Sequence, residues 1–443
     1  MNSQPMHIMA YTPPTNGHLK IAGIRYEMGQ DFRTLERYQE YRECGFDVLM
    51  QAGETAYKGE EFETSDLKYM MDLAEKADLR FLVFDRRILD VAEHNTYREK
   101  DLICGRFHTK AELEDYLLSC MKPYINHPAF YGVILGDEPT CASAYNLGNV
   151  CRALKAIKPD IYIHDCFLPA VSKQEYASEK FFPNENLSAE KAFKKYIQTM
   201  IGTDIGVFDY DAYPFGMWKG KAAFNKNYFR DLQIAAETTN ECNTDLYFTI
   251  QSFSSGRYDE YRKVDKTDLM FQVNLALSFA VKQISYFTYW RFQSRGEYDF
   301  TSAIMNDDGS KILYDEVREV NAYIQKLYSY IKDYQYVKTQ LVYQGRKPRS
   351  FTNAKSKNIS FFKSIKASDI ALVNELTDGQ KHIYMLFNAT DTFEKKSNDM
   401  ELILRDNVSS VKALVNGEET EIPVVDGKIS VRLAPGEGVW IFA

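Results

Sequence analysis

The chain lacks the features that would tie it to a membrane, a nucleic acid or a metal ion. Its 443 residues contain no apolar run of about 18 residues, the minimum for a membrane span. No block of lysine and arginine stands out against a formal net charge of −8, which argues against a nucleic-acid partner. The seven histidines show neither H-x-H nor H-E-x-x-H spacing. We therefore expect no nucleic acid, no membrane and no metal as partner.

Paired cysteines and phosphate-binding loops are missing as well. The seven cysteines are scattered and contain no C-x-x-C pair, which is typical of reduced, buried thiols. The first residues show no charged region followed by an apolar stretch, so we predict a cytoplasmic protein. There is no G-x-G-x-x-G and no G-K-[ST] segment, and we expect no cofactor. The sequence does not decide between a monomer and a homo-oligomer.

Aromatic residues are abundant, at 14% of the chain, with 31 Tyr and 28 Phe. A large aromatic core is the simplest explanation. Rings that line a cleft are the alternative, since the C–H faces of sugars stack on aromatic side chains. The length suits one large domain together with a small one.

Short apolar runs alternate eight times with longer amphipathic stretches, the pattern of a parallel sheet covered by helices. Eight units are the number that closes a (β/α)₈ TIM barrel, an α/β fold. The predicted strands cover residues 6–12, 46–52, 79–85, 130–136, 161–167, 205–211, 246–252 and 283–290. The helices that follow them are predicted near residues 31–44, 65–77, 110–126, 143–157, 188–202, 225–240, 266–281 and 313–333.

The pattern changes after about residue 335. From there apolar and polar residues alternate at period two, with turns at Asp-Gly and Asn-Gly pairs. We predict a catalytic barrel domain over 1–335 and a small antiparallel, sandwich-like β-domain over 336–443.

Residues at the C-terminal ends of barrel strands converge on one pocket. The fourth strand ends in Gly136-Asp137-Glu138-Pro139. Buried carboxylates are costly unless they are paired or useful. Acids at this place could instead complement the dipole of the next helix. Because Asp137 and Glu138 lie several residues before that helix, we predict that they are catalytic.

The sixth strand contributes further acids. Alternation along a strand places Asp209, Asp211 and Tyr213 on one face, and Phe208 and Tyr210 on the other. Helices cover the outer face, so the acids should point into the barrel mouth. The alternative is an early loop in which the acids are merely solvated.

Polar and aromatic residues at the other strand ends are weaker candidates for substrate binding, and each is also consistent with a structural role. Gln251 ends the seventh strand and can only hydrogen-bond, because an amide does not ionise. Trp290 ends the eighth strand and is a candidate sugar platform. The remaining candidates are Gln51, Glu54, Asp85, Arg86, His164, Asp165, Tyr289 and Arg291.

Several of these segments resemble glycoside hydrolase clan A. Gly136-Asp137-Glu138-Pro139 is similar to the acid/base motif of the clan, which includes the family-42 β-galactosidases, and the run 286–290 resembles its eighth-strand tryptophan segment. Asn306-Asp307-Asp308-Gly309, the Asp211-x-Tyr213-Pro214 element and the closing segment 434–439 resemble family-42-like proteins and uncharacterised bacterial relatives. The resemblance implies that Glu138 is the general acid/base and that Trp290 is the platform of the −1 subsite.

The sequence departs from the clan at the seventh strand, where retaining members carry a nucleophilic glutamate and this chain has Gln251. Three explanations are open. An inverting enzyme would use Glu138 as acid and Asp209 or Asp211 as base. A different retaining arrangement would use Asp137 as nucleophile and a sixth-strand aspartate as acid. The site could also bind sugar without cleaving it.

The first two explanations differ in the gap between the carboxyls, about 5–5.5 Å for retention and about 6.5–9.5 Å for inversion. Glu297, in the loop after the eighth strand, is a reserve candidate for the second carboxylate. We expect a glycosidase that acts on a short oligosaccharide or glycoside. The alternative is a non-catalytic sugar-binding barrel.

Overall fold

Eight parallel strands form a nearly closed barrel in the computed structural model of the chain. They are β1 (Ile8–Ala10), β2 (Val48–Met50), β3 (Arg80–Val83), β4 (Phe130–Asp137), β5 (Tyr162–Cys166), β6 (Val207–Asp211), β7 (Asp245–Gln251) and β8 (Gln283–Phe287). The structure describes residues 5–14, 18–21, 24–27, 31–52, 55–93, 102–183, 185–256, 261–291, 300–348, 351, 354–406 and 408–442.

The strand order confirms the predicted barrel. It runs β5-β4-β3-β2-β1-β8-β7-β6, and each neighbouring pair is parallel. The two ends of this sheet meet through a parallel bridge between Phe167 and Tyr210. There the amide of Phe167 donates to the carbonyl of Asp209 at 2.7 Å. The C-terminal ends of β4, β5 and β6 therefore lie side by side at one rim.

Helices follow the strands and cover the barrel. They are α1 (Leu35–Glu43), α2 (Asp66–Lys76), α3 (Arg86–Glu93), α4 (Lys110–Met121), α5 (Ala144–Ile157), α6 (Lys173–Tyr176), α7 (Ala189–Ile201), α8 (Tyr228–Glu241), α9 (Lys266–Ser278) and α10 (Tyr314–Ile331). Thr34, Ser65, Thr109 and Ser188 accept a backbone N–H of the first turn and so fix where four of them begin.

Two of these helices, α3 and α6, lie in segments that the sequence pattern assigned to loops. No helix in the described part of the chain is both long enough and apolar enough to cross a bilayer.

The interior of the barrel is apolar in its lower part. Met9, Val48, Met50, Leu82 and Ile134 pack together there as one buried cluster. Six of the eight strands are shorter than predicted, and β8 ends at Phe287, three residues before Trp290. This difference decides which aromatic ring lies at the barrel mouth, because the residue that ends a strand is the one aimed at the rim.

Antiparallel sheets make up the C-terminal part, as predicted. The strands are β9 (Gln335–Val342), β10 (Phe362–Ala367), β11 (Ala371–Thr377), β12 (His382–Asn388), β13 (Asn398–Leu404), β14 (Ser410–Val415), β15 (Glu418–Pro423), β16 (Lys428–Leu433) and β17 (Gly438–Phe442). One sheet has the order β9-β11-β12-β17-β14-β15, and the other has the order β10-β13-β16.

The two sheets share a separate apolar core that includes Phe362, Val373, Leu386 and Leu402. The amide of Asn374 donates to Ser278 of α9, which ties this part to the barrel helices. The division of the chain into domains at 335/336 stays a prediction.

Candidate active site

Acidic side chains gather where β4 and β5 end. A recess of about 280 Å³ opens there, beside the mouth of the barrel. The end of α3, the two strand ends and the loop before α5 form its wall. The acidic residues that line it are Glu93, Asp137, Glu138 and Asp165.

The end of β4 is shaped to present two acids. The register between β4 and β5 shifts between Ile134 and Gly136, which makes a bulge just before Asp137. The amide of Glu138 donates to the carbonyl of Cys166 at 2.7 Å and anchors the turn to β5. Glu138 has a φ of 53°, in the left-handed region that residues other than glycine rarely adopt. Backbone strain of this kind concentrates at functional sites.

Glu138 can hold a proton near neutral pH. Partial burial raises the pKa of its carboxyl to about 7, and the negative charge of Asp211 adds to this effect. Asp137 and Glu175 act in the same direction. The pKa of Asp137 is itself raised, first by burial and then by Glu93. A carboxyl with a raised pKa is the usual general acid in hydrolases that work near neutral pH.

The two acids of β6 lie at different depths. Asp209 is fully buried inside the barrel, whereas Asp211 is half-buried and nearer the rim. Burial raises the pKa of Asp211 to about 6, although a hydrogen bond from Tyr213 lowers it. The pKa of Asp209 is raised by burial and by the charge of Asp211. Of the two, Asp211 is the acid that a substrate at the mouth can reach.

His164 lies beneath the rim, inside the barrel and out of contact with solvent. Its Nε2 is 3.0 Å from the hydroxyl of Tyr11, and its Nδ1 is 3.6 Å from Oδ2 of Asp209. Burial lowers the pKa of His164 to about 3, so the ring is neutral. The Tyr11 hydroxyl and the Asp209 carboxylate thus lie next to the two ring nitrogens, and the substrate contact of His164 stays a prediction. The sequence analysis missed Tyr11, because it placed this residue inside a strand over 6–12. The strand β1 ends at Ala10, so Tyr11 is the first residue after it.

Gln251 ends β7 as predicted, but its amide is fully used by the protein. Its Oε1 accepts from the amide of Phe215 at 3.1 Å. Its Nε2 lies 3.2–3.4 Å from the carbonyls of Phe215, Phe253 and Arg262. The side chain is buried and holds together the loops that follow β6 and β7. In this structure the amide has no exposed surface to offer a sugar hydroxyl, and the substrate contact of Gln251 stays a prediction.

Polar residues at the ends of β2 and β3 are also committed to structure. Asp85 is fully buried and accepts three hydrogen bonds from Arg87 and a fourth from Tyr124, and its predicted contact with substrate stays a prediction. Gln51 bonds the backbone of Phe84 at 2.8 Å and that of Thr55.

The remaining charged candidates in the described residues are paired with other acids. Arg291 pairs with Asp307 at 2.8 Å in the loop after β8. Arg86 pairs with Asp90 at 2.6 Å. Glu54 and Glu297 lie outside the described residues.

The aromatic ring at the mouth is Phe287 rather than Trp290. Trp290 has no exposed surface and packs against Phe32 at a centroid distance of 4.5 Å. Tyr289 is equally buried and packs edge-on against Tyr41 at 4.9 Å. Neither ring has an exposed face for a sugar in this structure, and the platform role of Trp290 and the substrate contact of Tyr289 stay predictions. The predicted strand ran to residue 290, whereas β8 ends at Phe287.

Phe287 is half-buried at the end of β8. Its ring lies 5.7 Å from that of Tyr11 and stacks with that of Tyr213 at 5.8 Å. The ring of Tyr213 in turn meets that of Phe253 edge-on at 5.0 Å. Aromatic side chains thus stand at the mouth beside the acids of β6, as a wall on which a sugar ring can stack.

A metal ion has one candidate site in the described part of the chain, and it includes none of these acids. Asp72, Glu75 and His127 bring ligand atoms within 4.8 Å of one another. Lys68 already pairs with Asp72 at 2.8 Å there, which supplies the positive charge that a metal would bring.

Comparisons with known proteins support the fold. No protein-family model matches the chain, and no curated protein matches it. Among solved structures, a family-42 β-galactosidase from G. stearothermophilus, solved as a catalytic mutant, is similar over 100% of this chain and 98% of its own, with TM-score 0.53 and 9% identity. A family-5 glycoside hydrolase from Bacteroides vulgatus is similar over 99% of this chain and 88% of its own, with TM-score 0.53 and 10% identity. The chain therefore has the fold of TIM-barrel glycosidases.

Proposed function

We propose that the protein is a glycoside hydrolase that acts on a short oligosaccharide or a simple glycoside. The observation that carries the proposal is the proximity of two carboxyls at the rim of the barrel, Glu138 and Asp211. The charge of Asp211 raises the pKa of Glu138. One carboxyl has a pKa raised to about 7 and the other to about 6. Near neutral pH the first can hold a proton while the second has lost its own. Cleavage of a glycosidic bond needs these two states at once.

The higher pKa of Glu138 and its place directly after β4 both favour it as the acid. Glu138 protonates the leaving oxygen, and Asp211 acts on the other side of the sugar ring, either as the base that activates water or as the nucleophile. Asp209 lies too deep to reach the anomeric carbon and serves to support Asp211. Asp137, beside Glu138 at the rim, is the alternative partner.

Three further features agree with a small carbohydrate substrate. The recess has a volume of about 280 Å³, near the lower end of the range for small-molecule sites. The rings of Phe287 and Tyr213 provide an apolar wall at the mouth. The fold is shared with a family-42 β-galactosidase, although at 9% identity this likeness concerns the fold alone.

A second candidate is a barrel that binds sugar without cleaving it. The observation in its favour is Gln251, which stands where clan A has its nucleophile and is fully committed to loop backbones. Under this alternative the rim acids would bind hydroxyl groups, as carboxylates commonly do.

Turnover on a panel of nitrophenyl glycosides, run beside calorimetric binding of the same sugars, separates the two candidates. We expect hydrolysis of at least one glycoside, and a loss of at least about a hundredfold in kcat for Glu138→Gln. Glu185→Gln is the matched control, because Glu185 is exposed and pairs with Lys195. Sugar binding without turnover of any glycoside would contradict the hydrolase and favour the binding protein.

A further inference from the structure

The recess beside Glu138 contains two acids to which the proposed hydrolysis gives no task. Glu93 is the last residue of α3, and Asp165 lies near the end of β5. Both line the recess together with Asp137 and Glu138. Asp165 lies on the opposite face of β5 from His164, so it points to the helix side of the strand and away from the barrel interior.

Asp165 is a buried acid, and one of its carboxylate oxygens lacks a partner. Only 2% of its surface is exposed, and its Oδ1 is buried without any hydrogen bond. Buried polar atoms are nearly always hydrogen-bonded, so an orphaned carboxylate oxygen at the wall of a recess indicates that something else satisfies it. Gly136 leaves room in front of it, because a Cβ there would lie 3.6 Å from both oxygens of Asp165.

The charges that act on Asp165 in the described part of the chain are all negative. The pKa of Asp165 is raised by burial, and then by the charges of Asp137, Glu93 and Asp209. Burial raises the pKa of Glu93 as well, and Arg86, whose charge opposes this rise, is itself paired with Asp90 at 2.6 Å. A cation in the recess would relieve this repulsion.

The geometry favours an organic cation over a directly ligated metal. Metal ligation by oxygen needs distances of about 2.0–2.6 Å from several oxygens at once. In the described residues, the group that brings three such atoms within 4.8 Å is Asp72, Glu75 and His127, and the acids of the recess do not do so. A protonated amine needs only one or two carboxylates at hydrogen-bond distance, and the sugar ring that carries it can place it deep in the recess.

We propose that the recess binds a protonated primary amine of the substrate, and that the preferred substrate is a glycoside of an amino sugar whose amino group is free. Glu93 and Asp165 bind the ammonium group, and the same sugar ring brings its glycosidic oxygen to Glu138. This inference names the substrate class of the proposed hydrolase and rests on that function.

Calorimetric binding of free monosaccharides tests the inference without any need for turnover. The probes are glucosamine and galactosamine, with glucose, galactose and N-acetylglucosamine as neutral counterparts, at about pH 6.5, where the amines are protonated. We expect the amino sugars to bind at least about tenfold more tightly, the effect of one charge-assisted hydrogen bond. The preference should weaken at high salt, because screening acts on charge pairs.

Two variants locate the effect. Glu93→Gln and Asp165→Asn should each reduce the preference for the amine to threefold or less, whereas Asp160→Asn should keep it. Asp160 is an exposed aspartate near the opposite end of β5 that pairs with Lys158 at 2.9 Å. Glu93 lies at an exposed helix end, so its variant remains informative even if Asp165→Asn does not fold.

Three results would overturn the inference. They are equal binding of amino and neutral sugars, a preference that survives both variants, and binding of calcium ions in place of amines that is lost in Asp165→Asn. Hydrolysis of neutral glycosides without any preference for amines would overturn the inference and leave the hydrolase standing. A preference for amines without hydrolysis of any glycoside would support amine binding and refute the hydrolase.

Discussion

The rim of the barrel has two unlike halves. At the ends of β3 and β7, Asp85 and Gln251 are buried and every polar atom of the side chain meets a partner within the protein. At the ends of β5 and β6, oxygens of Asp165, Asp209 and Asp211 are buried without a partner. The first half is built for stability, and the second half keeps unsatisfied groups that a ligand or a proton must complete.

The difference teaches how to separate a site from its scaffold at one level of the fold. All five residues lie near a C-terminal strand end, where barrel enzymes keep their catalytic groups. Position alone does not distinguish them. Their hydrogen bonds do, because a side chain with no free donor or acceptor has nothing left with which to bind a substrate.

The largest effect should separate the two acids of β6. We expect Asp211→Asn to lower kcat by at least about a hundredfold, since it removes a group that acts on the reacting atoms. Asp209→Asn should cost less than about tenfold, because Asp209 acts only through its neighbours. Steady-state kinetics on the best glycoside of the panel measures both. Similar losses for the two variants would mean that depth in the barrel does not separate their roles.

The second largest effect should be seen in the dependence of kcat/KM on pH. In the proposed mechanism Asp211 is ionised and Glu138 is protonated, so kcat/KM should peak between about pH 6 and about pH 7. It should fall about tenfold per pH unit on each side, because one proton controls each limb. Glu175→Gln removes a negative charge that raises the pKa of Glu138. The alkaline limb of this variant should therefore move to lower pH while the acid limb stays in place. A profile that is flat from pH 5 to 8 would remove these two carboxyls from the reaction.

Gln251 offers a test from the satisfied half of the rim. In Gln251→Glu a carboxylate would face the carbonyls of Phe215, Phe253 and Arg262 and could not donate to them. We expect a loss of about 2 kcal/mol in the free energy of unfolding and no gain in activity, as urea denaturation and the glycoside panel would show. Gln251→Met, which has a similar shape, is the control for volume. Higher activity in Gln251→Glu would mean that a carboxylate at this position can act as the nucleophile.

The sequence predicted more of the fold than of the site. Eight apolar runs were sufficient for the barrel, and the acids of β4 and β6 were found because adjacent or alternating carboxylates interrupt apolar strands. The predicted end of the eighth strand was wrong by three residues. The sequence analysis therefore placed Trp290 at the mouth, where the structure has Phe287. Apolar periodicity continues through both residues and does not mark where pairing stops.

Other parts of the site depend on contacts that no local pattern encodes. Glu93 was missed because α3 lies between a strand and a helix that the pattern treats as neighbours. The role of Gln251 depends on where two loops place their carbonyls. A glutamine at a strand end has the same local sequence whether its amide binds a sugar or the protein's own backbone.

The smallest expected effect is on stability. Replacement of an aspartate by asparagine should raise the melting temperature at β6 and lower it at β3. A carboxyl whose pKa is higher in the folded than in the unfolded chain binds its proton more tightly when folded, so protonation favours the fold. The pKa of Asp209 is raised in this way by burial. The contribution of protonated Asp209 to stability is present at low pH. It is lost as the pH rises above about 4, the pKa of an aspartate in the unfolded chain. Asp209→Asn cannot ionise, so it should raise the melting temperature at pH 8 and change little at pH 4.

Asp85→Asn is the counterpart in the satisfied half. It takes the charge from an acid that accepts three hydrogen bonds from Arg87, so it should lower the melting temperature at both pH values. Thermal unfolding of the two variants and the parent, followed by circular dichroism at both pH values, compares the halves directly. A lower melting temperature for Asp209→Asn at pH 8 would show that Asp209 has a stabilising partner in solution. The buried polar groups at the ends of β5 and β6 would then have partners as well, and their hydrogen bonding would no longer distinguish this half of the rim as the site.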